Sequence, residues 1–77
     1  MPQVTVFADH LRFEGEHIPM EQWADFDLLY GCMECLPQKP EEHILLLGVR
    51  CFHSAEQYTE KAYLFIRRSA IVGWVDH

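Results

Sequence analysis

Cys32-Met-Glu-Cys35 and Cys51-Phe-His53 together read C-x2-C-x15-C-x-H, the ligand count and nearly the spacing of a Cys3His structural zinc site. Zinc held in this way adds its binding free energy to folding, which a chain of 77 residues can use. The surroundings argue against it. Leu36-Pro37 follows the second cysteine, where a metal knuckle usually has small residues or glycine. A helix continuing to Leu36 would also leave Cys32 and Cys35 on its flank. Cys51 fits an inward strand position, where free cysteine packs as a small hydrophobe. The expectation is no metal and no cofactor, with Cys32, Cys35, Cys51 and His53 as the candidate ligands if a site exists.

The same Cys32-x-x-Cys35 pair is poorly placed for redox chemistry. The C-terminal end of a helix and the intervening Glu34 both disfavour a thiolate. Cys51 and His53, two apart on a strand, lack an orienting third group and an oxyanion site. The chain has no Gly-rich phosphate loop, G-x-S-x-G or H-E-x-x-H pattern. The carboxylate pairs Glu14/Glu16 and Glu21/Asp25 read as exposed rows, without the dissimilar environments that acid–base pairs need. No enzyme is expected.

The charge is the informative feature. Glu14, Glu16, Glu21, Asp25, Asp27 and Glu34 occur in one stretch that has no Lys or Arg, and residues 1–42 hold nine acids against Arg12 and Lys39. Residues 43–77 hold three acids against four bases, and the net charge is −6. Such a field repels nucleic acid and anionic membrane and attracts basic surfaces. These six acids are therefore the first candidate partner site. Tyr63, Leu64 and Arg67 form a second, because an aromatic beside arginine is the composition of an interface centre.

The elements that position these residues follow from pattern and punctuation. Val4, Val6 and Ala8 alternate with Thr5 and Phe7, so a strand runs to a turn at Asp9-His10, and Leu11-Arg12-Phe13 resumes before a second turn at Glu14-Gly15-Glu16. Pro19 opens a helix from Met20 to Leu36, with Trp23, Phe26, Leu29, Tyr30 and Met33 on its apolar face, and Pro37 and Pro40 end it. The apolar run Ile44 to Leu47 marks a central strand covered on both faces. Ser54-Ala-Glu-Gln57 matches a capping box. A second helix to about Ser69 would then turn Tyr58, Ala62, Phe65 and Ile66 inward and Leu64 outward. Ile71 to Val75 closes the chain as a strand parallel to the central one.

This reading is a single α+β domain over residues 1–77: a single-layer sheet with two helices in the order β-β-α-β-α-β. VTVFADHLRFEGEHIPMEQW and ILLLGVRCFHSAEQYTEKAYLFIRR followed by IVGWV resemble the soluble domain of the ExbD/TolR biopolymer-transport family. That resemblance implies the same fold and the binding of peptides or proteins without chemistry. It extends to no membrane helix, because no apolar run here approaches the ~20 residues of a span. The odd cysteine count suits a reducing cytoplasm. In size and charge the chain also resembles phage anti-CRISPR proteins and other nucleic-acid mimics. The leading expectation is a monomeric, acidic, stoichiometric inhibitor that docks on a basic, nucleic-acid-binding site of a partner protein. The alternatives are a self-associating assembly module and a zinc-stabilised domain.

Overall fold

Asp9 and His10 both hold positive φ (51° and 67°), as in a two-residue type I′ turn, whose twist matches the strands it joins. The computed structural model describes residues 3–25 and 36–77. The turn links β1 (Gln3–Ala8) to β2 (Leu11–Ile18), with Val6 opposite Phe13. Three further strands follow, β3 (His43–Phe52), β4 (Tyr58–Arg67) and β5 (Ile71–Asp76), and all five form one antiparallel sheet in the order β4-β3-β2-β1-β5.

This corrects the α+β, β-β-α-β-α-β expectation. The segment read as a second helix is β4, paired with β3 along its length from Phe52↔Tyr58 to His43↔Arg67. Tyr, Thr, Phe and Ile in that segment favour a pleated surface, and nine pairs with β3 outweigh a helical stripe. The Gln57 N–H does donate to Ser54 Oγ at 3.2 Å, as a capping box requires. Here it closes a hairpin loop, in which the His53 N–H also donates to the Gln57 carbonyl. β5 pairs antiparallel with β1 at the far edge and does not lie beside β3. Glu14-Gly15-Glu16 is not a turn but the middle of β2. Of the helix expected from Met20 to Leu36, Met20–Gln22 forms a 3-10 turn that runs into α-helical residues 23–25, and residues 26–35 lie outside the described residues.

The connections dictate the curvature. Four antiparallel steps separate β4 from β5, so the two run in the same direction at opposite edges, ~19 Å apart in a flat sheet. Parallel strands ordinarily need a crossover of a dozen or more residues. Here only the 3-10 turn Arg68–Ala70 intervenes, and the step from Arg67 to Ile71 can reach at most ~14 Å. The sheet must therefore coil until its edges approach, as a half-open barrel. A β-bulge helps it bend: Gly48 (φ +57°) and Val49 together face Gly15, between the pairs Glu14↔Arg50 and Glu16↔Leu47.

Coiling gives the sheet an inside. Val4, Val6, Ala8, Phe13, Ile44, Leu46, Val49, Cys51 and Ile66 form the concave core, with Leu11, Leu64, Ala70 and Ile71 against it. On the convex side Ile18, Trp23 and Leu45 make a second cluster with Leu36, Leu47, Tyr63 and Phe65. Trp23 is fixed there by its indole N–H donating to the Ile18 carbonyl at 3.0 Å. Ile44 to Leu47 is apolar throughout because both of its faces are covered.

Leu46→Ala is expected to cost about 2–5 kcal/mol in chemical denaturation and Leu64→Ala about 1–2 kcal/mol, the latter in contrast to an outward helical position. Gly15→Ala is expected to unfold more of the protein than Gly48→Asn. A Cβ on Gly15 lies 3.0 Å from the Leu47 carbonyl oxygen, whereas at Gly48 the space is open and only the left-handed backbone must be tolerated. Equal losses from both substitutions would contradict the bulge geometry.

Candidate functional site

The convex face beyond the Trp23 cluster is ordered in rows that cross the strands. Register places Gly73, Phe7, Arg12, Phe52 and Tyr58 side by side across all five strands. The next row is Val75, Thr5, Glu14, Arg50 and Glu60. The first row is an aromatic and cationic ladder. The Arg12 guanidinium sits 4.1 Å above the Phe52 ring, Phe52 packs at 5.1 Å on Tyr58, and Arg50 lies 5.3 Å from the centre of Tyr58. Phe7 lies over Gly73, where an added Cβ would come within 3.1 Å of its ring. Phe7 and Tyr58, at the ends of the row, remain 39% and 43% exposed.

Arg12 is held between a ring and an acid. Its Nε stands 3.6 Å from Glu14 Oε2, too far for a hydrogen bond, and is buried with no other acceptor among the described residues. With both side chains about a third exposed, this ion pair contributes little stability, roughly 0–1 kcal/mol. Phe7, Leu11, Phe52, His10, His53 and Ser54 border a shallow depression beside Arg12. The arrangement can stack on planar or cationic groups and hydrogen-bond through guanidinium and carboxylate edges.

The acids expected as the partner site are divided by the fold. Glu14 and Glu16 project from β2 on the convex face, where Glu14 is flanked by Arg12 and Arg50 and so loses much of its field. Glu21 and Asp25 are exposed on the turn that carries Trp23. Asp27 and Glu34 lie outside the described residues. The second candidate patch is not one surface. Tyr63 and Leu64 are neighbours on a strand, so Tyr63 joins the convex cluster with Phe65 at 6.1 Å while Leu64 packs into the concave core, and Arg67 ends the strand.

Cys32 and Cys35 lie outside the described residues. Cys51 is a free, buried thiol in the concave core, and the His53 ring nitrogen Nε2 is 2.7 Å from Thr59 Oγ1. Among the described residues no three His, Cys, Asp or Glu converge on a point that could hold a metal ion. No described helix is long and apolar enough to cross a membrane.

The row of Phe7, Arg12, Phe52 and Tyr58 is the part of the site that sequence reasoning missed. Its signal was present: Phe7 falls on the polar side of the β1 alternation, opposite Val4, Val6 and Ala8, which is an odd position for a large aromatic. What hid the row was the helical reading of residues 58–67, which removed Tyr58 from the sheet.

At the other end of the sheet His17 meets Trp74 edge-on at 5.0 Å, and the Trp74 indole N–H donates to Asp76 Oδ1 at 2.8 Å. Partial burial is the main reason that the His17 pKa lies below its usual 6.5, and the Arg68 charge adds to the effect against the opposing pull of Asp76 and Glu21.

No protein-family model, no curated protein and no solved structure matches this chain. The strand order departs from the β-β-α-β-α-β order behind the ExbD/TolR resemblance, so that family's properties are carried no further.

Two outcomes are expected. A lowered imidazole pKa means that the unfolded chain binds more protons, so the His17 contribution is present above about pH 6.5 and is lost as pH falls through the folded value. Denaturation midpoints of the wild type should fall more steeply below pH 6.5 than those of His17→Gln; parallel profiles would contradict this. EDTA should leave the melting temperature unchanged, whereas a drop would mean that Cys51 leaves the core to ligate a metal.

Proposed function

We propose that the chain is a non-enzymatic protein-binding domain that docks on a basic surface of another protein. The observation that carries this reading is the row Phe7, Arg12, Phe52 and Tyr58, held at fixed spacing on a coiled sheet and adjoining a row with Glu14 and Glu60. A Lys or Arg side chain arriving there finds the exposed ring of Tyr58 and, two residues along the same strand face, the carboxylate of Glu60. Both favour a cation, and the rings supply apolar area at small entropic cost. Glu16, Glu21 and Asp25 add the long-range attraction that speeds encounter with a positive surface.

In its finer form the partner is a nucleic-acid-handling protein whose phosphate-binding groove receives these carboxylates. The chain would then act as a stoichiometric inhibitor of the anti-CRISPR kind. It makes no direct contact with nucleic acid, because a net charge of −6 opposes it. The free thiol of Cys51 is consistent with a reducing compartment such as the cytoplasm.

The test begins with immobilised protein in native lysate and continues with purified retained partner and measured binding kinetics. Reversing Glu16, Glu21 and Asp25 to Lys should slow association by about tenfold or more and flatten the salt dependence. Tyr58→Ala should chiefly accelerate dissociation. Reversing Glu41, Glu42 and Glu56, exposed residues elsewhere on the surface, changes net charge equally and is the control. Equal slowing by both triple variants, or a partner whose docking surface is acidic, would sink the proposal.

A further inference from the structure

The two edges of the sheet are guarded very differently. β4 presents Glu60, Lys61 and Arg67 as exposed charges, the usual protection of an edge strand against pairing with another chain. β5 has no Lys, Arg or Pro between Ile71 and Asp76, and Val72, Trp74 and Val75 are 83%, 36% and 47% exposed. Together with Phe7, which lies over Gly73, these make four of the six exposed large apolar side chains among the described residues. The single charge of the strand, Asp76, is engaged by the Trp74 indole.

The backbone of β5 is poised in the same way. The His77 N–H donates to the Gln3 carbonyl at 3.0 Å. Alternation along an antiparallel ladder then makes Thr5↔Val75 and Phe7↔Gly73 the bonded pairs with β1. The N–H and C=O groups of Trp74 and Asp76 consequently point away from β1, and no described strand is hydrogen-bonded to β5 on that side.

We infer that β5 is covered by β5 of a second copy of this chain, antiparallel across a two-fold axis, joining two five-stranded sheets into one. The register that matches the strand to itself is centred on Trp74. It sets the Val75 side chain of one copy opposite Gly73 of the other, where no Cβ opposes it and Phe7 lies alongside. It sets Asp76 opposite Val72, the extra residue of the irregularity between the Phe7↔Gly73 and Ala8↔Ile71 pairs, so no like charges face each other directly. Such an isologous contact closes on itself and does not propagate into fibres. This inference goes beyond the proposed function and leaves the Arg12, Phe52 and Tyr58 ladder of each copy exposed.

Because each copy carries a net charge of −6, added salt should tighten self-association, whereas it should weaken docking of the acids on a basic partner. Light scattering behind a sizing column separates the two. The wild type is expected at twice the 9.1 kDa chain mass at high concentration, with the dimer fraction rising in salt. Val72→Lys and Val75→Lys, at exposed side chains, should be monomers with unchanged circular dichroism, while Ala62→Lys on β4 should remain dimeric. Amide exchange at Trp74 and Asp76 should slow as concentration rises. A wild type monomeric at high concentration and high salt overturns the inference. So does a dimer that Ala62→Lys breaks and Val75→Lys does not, or amide protection that appears only when another protein is added.

Discussion

Three residues, Arg68–Ala70, join strands that lie at opposite edges of a five-stranded sheet, and the architecture is what that short tether permits. A flat sheet would break it. Coiling brings β4 and β5 within reach, and coiling in turn creates the concave side where Val4, Val6, Leu46 and Val49 are almost fully buried. In so small a chain a flat single sheet would ordinarily bury too little apolar surface. Folding the sheet on itself supplies the second layer. The Gly15 and Gly48 bulge belongs to the same requirement: it bends β3 against β2, and after it Val49 and Cys51 share the concave face that Ile44 and Leu46 occupy before it.

The same bend decides what faces outward. Among the described residues, Trp23 and Leu36 cover the convex side at one end. Where cover ends, the rows become Glu16 beside Leu47, then Glu14 and Arg50, then the ladder of Arg12, Phe52 and Tyr58. The outermost row keeps its aromatic rings partly solvated by laying arginine on them, which satisfies the π-faces without enclosing them. A binding surface of this type is rigid because its spacing is that of the strands themselves.

How far the sequence foretold this depends on the range of the deciding interaction. The Asp9-His10 turn and the alternation of Val4, Val6 and Ala8 are local, and both are found where pattern places them. The Ser54-to-Gln57 hydrogen bond was legible too, but whether such a bond opens a helix or closes a hairpin depends on the pairing of Tyr58–Arg67 with β3. Residues 63–66 are apolar at every position because Leu64 and Ile66 enter one cluster and Tyr63 and Phe65 another, and a two-sided strand imitates a helical stripe. Gly15 reads as a turn residue in isolation. Its reason for being glycine is the Leu47 carbonyl, thirty-two positions away in the chain. The acidic candidate site rested on composition, which does not say that Arg12 and Arg50 stand on either side of Glu14.

The pairing of β1 with β5 has a consequence in time. Neighbouring strands along β1 to β4 meet through a meander, yet Val4 finds its second partner only at Asp76. The β1–β5 pairing has the greatest sequence separation of the strand pairs in the sheet, and loop closure makes such contacts the slow ones. During synthesis β1 would wait with one edge open and with Val4, Val6 and Ala8 facing an unfinished concavity until nearly the whole described chain had emerged. Until β5 arrives, the open edge of β1 is exposed to unwanted strand pairing.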